Sequence, residues 1–141
     1  MVRPLSFQLD VRSLKGWRAA LRDFPVLGTI SRCRRSVRRQ LKMRERMFAA
    51  AGHREPDLDP LAREVAEVIR SHLGWPNSNF ISEDPCALLF CAPPFGMQDV
   101  AALVEISERF HISDDELDDL DSLVFGELVQ RIRKALDQRG P

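Results

Sequence analysis

The strongest constraint on this chain is the spacing of its apolar residues, which is helical wherever it is regular. Leu61, Val65, Val68, Ile69 and Leu73 recur at three- and four-residue intervals and so share one helix face. Asp59 stands where an N-cap accepts backbone N–H bonds, Pro60 suits the first helical position, and Gly74 closes the run. Further on, Met97, Val100, Leu103, Val104 and Phe110 form the stripe of a helix beginning near Met97. Ser113 and Glu116 have capping-box spacing and open a short acidic helix holding Leu117 and Leu120. A last helix has Phe125, Leu128, Val129, Ile132 and Leu136 on one side, and Arg131, Arg133 and Lys134 toward its negative pole. No segment alternates as a half-buried strand does. The pattern predicts an all-α fold.

Charge divides the chain in two. Residues 1–56 hold 14 Lys/Arg against 4 Asp/Glu, whereas residues 57–141 hold 7 against 17, so the formal neutrality of the whole conceals a basic and an acidic part. The change of sign falls at His53-Arg-Glu-Pro-Asp-Leu-Asp-Pro60, a segment rich in loop-forming residues. We therefore expect a basic helical extension over 1–56 and an acidic helical domain over 57–141. In the first part, Leu14, Trp17, Leu21 and Phe24 have helical spacing up to Pro25. A second run places Ile30, Cys33, Val37, Leu41 and Phe48 on one side, crowds the rest with cations, and ends at Gly52.

No apolar run approaches the ~20 residues of a membrane-spanning helix, and the first residues lack the apolar core of a signal peptide. Cys33, Cys86 and Cys91 are odd in number and lack zinc-site spacing, so they read as reduced thiols. A cytoplasmic protein is the expectation.

The acidic part resembles the acyl carrier proteins, small four-helix modules that carry a phosphopantetheine arm. Leu73-Gly74 match the end of that family's first helix, and Ile81-Ser-Glu-Asp-Pro-Cys86 is similar to its loop anchor. Val104-Glu-Ile-Ser-Glu-Arg-Phe110 resembles the end of its second helix, Ile112-Ser-Asp-Asp-Glu-Leu117 its acidic third, and Phe125-Gly-Glu-Leu-Val129 the start of its fourth. The resemblance implies a four-helix bundle over 57–141. The family attaches its arm to the serine of an Asp-Ser-Leu motif at the start of the second helix. Aligned through Phe110, that motif falls on Phe95-Gly96-Met97, and the serine is missing. No cofactor is therefore expected at Gly96, which reads as the residue permitting the turn after Pro93-Pro94.

Asp121-Ser122-Leu123 does spell the attachment motif. In that register Phe125–Leu136 would be the second helix, and the sequence through Pro141 does not reach a third and fourth. Ser122 reads instead as a cap or linker serine. A functional carrier modified at Ser122 stands as the alternative, the one case in which phosphopantetheine is expected.

Other chemistry finds little footing in the sequence. His53, His72 and His111 are dispersed, and Asp114–Asp121 lacks the central glycine of a calcium loop. Neither a nucleophile–base set nor a phosphate-binding glycine loop stands out, so no metal and no enzymatic activity are expected. By resemblance, the acidic face docks a basic protein partner through Asp99, Glu105, Glu108, Asp114, Asp115 and Glu116. The basic patch of Arg32, Arg34, Arg35, Arg38, Arg39 and Lys42 admits three readings. It packs on the acidic domain or a partner helix, binds nucleic-acid phosphates, or lies on an anionic membrane. The first leads, since no aromatic residue interleaves the arginines for base stacking. The function expected is thus a non-catalytic, carrier-like interaction module without the usual attachment site, with nucleic-acid or membrane-surface binding through the basic helix as a further alternative.

Overall fold

The helical period is realised in a computed structural model that describes residues 2–7, 26–50, 52, 58–93 and 96–138. In order, the helices are α1 (Val26–Ala50), α2 (Pro60–Leu73), the short α3 (Cys86–Leu89), α4 (Gln98–Phe110) and α5 (Phe125–Gln138), with 3₁₀ turns at Asp114–Leu117 and Leu120–Ser122 before α5. The protein is all-α; the one β-bridge among the described residues pairs Pro85 with Val124. Among these residues no helix is long and apolar enough to cross a membrane. The expected helix of Leu14, Trp17, Leu21 and Phe24, and most of the segment where the charge changes sign, lie outside the described residues.

The helix ends follow the chemistry of their caps. Asp59 accepts the Ala62 N–H at 2.8 Å, Pro60 occupies the first turn, and Gly74 turns left-handed at φ 74° with its N–H on Arg70 O at 2.9 Å. Gly52 is also left-handed (φ 77°) and closes α1 through Ala49 O. At the end of α4 the left-handed residue is His111, and the turn is held by Ser107 Oγ, which donates to Ile112 O at 2.7 Å. Ser113 and Glu116 form the expected capping box, with Ser113 N–H on the Glu116 carboxylate at 3.1 Å.

One apolar core runs through both charged parts. Leu5, Cys33, Val37 and Leu41 are buried together with Val65, Ile69, Leu73, Trp75, Phe80, Leu89, Ile106, Phe125, Leu128 and Ile132. Phe80 meets Phe125 edge-on, with ring centroids 5.7 Å apart. The loop between α2 and α3 is built inward: Trp75 Nε1 donates to Leu89 O at 2.9 Å, and Asn77 Nδ2 reaches Leu41 O on α1 at 3.0 Å. Three backbone bonds then tie this loop to the start of α5: Cys86 N–H to Leu123 O, Phe125 N–H to Asp84 O and Gly126 N–H to Ser82 O, each at 2.8 to 2.9 Å. Gly126 is needed there for space, because a Cβ would stand 2.9 Å from Ser82 Cβ.

Two expectations are corrected. Of the stripe expected on α4, Phe110 is buried and Leu103 packs against the core, but Met97, Val100 and Val104 face solvent, and Ala102 and Ile106 complete the buried side. The cations of α5 do not serve its C-terminal pole, since its last turn holds none. Arg131 pairs with Asp119 and donates to Glu116 O at 2.7 Å, while Arg133 reaches across to Asp59, so both cations join separate elements.

Candidate functional site

Two solvent-facing helix surfaces stand out, one on α4 and one on α1. On α4 the side turned from the core carries Met97, Val100 and Val104, with 67%, 43% and 48% of their surface exposed. Their spacing makes a stripe along one face, and exposed Glu108 lies four residues beyond Val104 on the same side. Isolated exposed apolar residues are ordinary; here three lie in register along one helix face.

The six acids anticipated as partner contacts do not form one patch. Asp99 is half-buried and its charge acts on Cys91. Glu105 is engaged within the fold, 3.0 Å from His72 Nε2 and 3.1 Å from Arg109 Nη2. Glu108 borders the apolar stripe. Asp114, Asp115 and Glu116 are exposed on the first 3₁₀ turn, where Glu116 is partly used by its capping box. The apolar residues at the centre of the α4 surface were assigned to the core in the sequence. Ala102–Ile106–Phe110, at intervals of four, was the signal for the true buried side.

The leading end of α4 shows how Gly96 is used. Its N–H bonds Pro93 O at 2.9 Å. The backbone is not left-handed, however; a Cβ at Gly96 would lie 1.9 Å from Gln98 Oε1. The glycine leaves room for a folded-back Gln98 side chain, whose Oε1 is buried without a hydrogen-bond partner among the described residues. Ser122 lies elsewhere: it is exposed in the second 3₁₀ turn, and its Oγ donates to Asp119 O at 2.7 Å.

On α1, Arg35, Arg38, Arg39, Lys42, Met43 and Arg46 line an open depression of about 280 Å³, opposite the buried Cys33–Val37–Leu41 face. The cations there are exposed and have no acidic partner among the described residues. Arg32 is exposed as well. Arg34 departs from the patch: it donates to Cys91 O at 2.5 Å and Leu73 O at 2.7 Å, and its guanidinium lies 4.7 Å from the Trp75 ring centroid. It thereby neutralises the C-terminal pole of α2 and stacks on an aromatic face. Burial and the neighbouring Arg38 lower its pKa.

Arg44, a further cation of the same basic run, is buried. Its Nη1 and Nη2 meet Asp84 Oδ2 and Oδ1 at 2.7 and 2.6 Å, and it also donates to Asn79 O and Arg3 O. Asp84 further accepts the Leu5 and Ile81 N–H groups at 2.9 and 2.8 Å. The α1 surface is thus held in place by a charged plug in the core. No family model matches the chain, and neither a curated protein nor a solved structure matches it.

Proposed function

We propose that the chain is a non-catalytic, acyl-carrier-like interaction module that docks a basic protein partner through α4 and carries no phosphopantetheine. The observation that carries this reading is the exposed Met97–Val100–Val104 stripe leading to Glu108, on a helix entered through Gly96 where the carriers have a serine. In this reading α2, α4, the pair of 3₁₀ turns and α5 stand for the four carrier helices, and α1 is the added basic element. The stripe supplies apolar contact area, while Glu108 and the Asp114–Glu116 turn attract cations and speed encounter. A basic amphipathic partner helix has the complementary chemistry.

The test is a fluorescence titration of the full chain with a synthetic Lys/Leu amphipathic helix. Binding is expected to weaken at least tenfold in Val100→Gln/Val104→Gln, which removes apolar contact without adding charge, with the helical circular dichroism unchanged. Equal binding by wild type and variant would remove α4 as the docking face.

A second reading is carried by the α1 cations that have no acidic partner among the described residues, which suit the phosphates of a nucleic-acid duplex. Each phosphate contact adds to the salt dependence of affinity. Duplex DNA or RNA is then expected to bind, to be released by salt, and to be lost in Arg35→Gln/Arg38→Gln/Arg39→Gln. Binding to anionic vesicles alone would assign the helix to a membrane surface and contradict this second reading.

A further inference from the structure

The fold brings two of the three cysteines together across its two charged parts. Cys33 is on the buried face of α1, and Cys91 follows α3. Arg34, the next residue to Cys33, bonds the Cys91 carbonyl at 2.5 Å and holds the two segments in register. Cys91 packs against the buried cluster that contains Cys33, each thiol acts on the other, and both are free. Cys33 is nearly sealed from solvent, whereas Cys91 is only half-buried, so a small reagent meets Cys91 first.

We propose that Cys33 and Cys91 are a peroxide-oxidisable dithiol site, which closes a disulfide between α1 and the segment following α3. The electrostatics agree with the roles this requires. The Cys33 thiol beside it holds the Cys91 thiol below its ordinary pKa, helped by the Arg34 guanidinium and opposed by burial and Asp99. Cys91 in turn, together with burial, raises Cys33 and keeps its proton. Cys91 is therefore the attacking thiolate and Cys33 the resolving thiol. Cys86 is fully buried, and burial with the charges of Glu127, Asp121 and Asp84 raises its pKa to about 12, which leaves it inert.

The steps balance with a hydroperoxide as oxidant. The Cys91 thiolate attacks the peroxide oxygen, the O–O bond breaks, and the alkoxide or hydroxide leaves as Cys91 becomes a sulfenic acid. The Cys33 sulfur then attacks the Cys91 sulfur, and its proton departs with the sulfenic hydroxyl as water. Two thiols have lost two electrons to the peroxide, giving a disulfide, an alcohol or water, and one further water. An external dithiol reverses the change.

The experiment treats the purified, reduced full chain with hydrogen peroxide and reads intact mass and a peptide map. The expected product is a monomer lighter by two hydrogens, mapping to Cys33–Cys91 and restored by dithiothreitol. Cys86→Ala is expected to give the same product. Cys33→Ala is expected to stop at a dimedone-reactive sulfenic acid on Cys91, with Cys91→Ser giving neither species. Helical circular dichroism of each variant separates lost chemistry from lost fold, and the wild-type map decides the matter alone if a variant does not fold. Oxygen adducts on wild-type Cys91 without a disulfide, a disulfide to Cys86, or only disulfide-linked dimers would overturn the proposal.

Discussion

At the scale of single residues, the Arg44–Asp84 pair determines how α1 is held. Asp84 accepts bonds from both Arg44 nitrogens and from two backbone N–H groups, so both of its oxygens are satisfied inside the core. Removing one partner of such a pair leaves a buried charge without compensation, at a cost of about 3–5 kcal/mol. Arg44→Met and Asp84→Asn are each expected to lower stability by that order in urea titrations. The double variant is expected to lose clearly less than the sum, because the two side chains are directly coupled. Additive losses would show that the pair is not a unit. Arg44 was partly legible: Cys33, Val37, Leu41 and Arg44 follow helical spacing and mark one side. Its identity as a cation hid it among seven neighbours of the same charge, and its partner lies 40 residues away. No local pattern encodes that distance.

At the scale of elements, α2 and the 3₁₀ region were the most legible because their ends are written in local chemistry. Asp59, Pro60, Gly74, Ser113 and Glu116 act within a few residues of themselves, and each does what its type prescribes. Asp59 adds a contact that local sequence does not foretell, the ion pair with Arg133 of α5. The Ala62 N–H first, and then Arg133, hold its carboxylate below the ordinary range, against a desolvation effect of opposite sign. A depressed folded-state pKa contributes stability above the unfolded value of about 3.9 and loses it as the pH falls through the folded value. Asp59→Ala is accordingly expected to cost about 1 kcal/mol near neutral pH, mostly as a lost cap. The difference from wild type should close below pH ~4. A gap that persists in acid would mean that the carboxylate charge is not what stabilises the start of α2. Part of the α4 stripe was misread for a related reason: Met97, Val100 and Val104 have core-like character and core-like spacing, whereas the side of Ala102, Leu103, Ile106 and Phe110 packs inward. Periodicity finds a helix face; it does not say whether the neighbour covering it is in the same chain.

At the scale of the whole molecule, the two charged parts touch without cancelling. Arg44 enters the core and Arg34 covers the end of α2, but Arg35, Arg38, Arg39, Lys42 and Arg46 face solvent on α1, and Glu108, Asp114 and Asp115 face it elsewhere. Formal neutrality therefore describes a molecule with separate acidic and basic surfaces. The exposed acids are divided between α4 and the first 3₁₀ turn, and the basic surface lies opposite the buried side of α1. Such a division suits a module that meets other molecules, and makes its encounters sensitive to salt. The proposed absence of a prosthetic arm depends on Gly96 replacing a serine and on Ser122 serving its own 3₁₀ turn. The most direct measurement is the intact mass of the purified full chain after incubation with a promiscuous phosphopantetheinyl transferase and coenzyme A. An unchanged mass is the expected result; a gain of one phosphopantetheine arm that disappears in Ser122→Ala would contradict it.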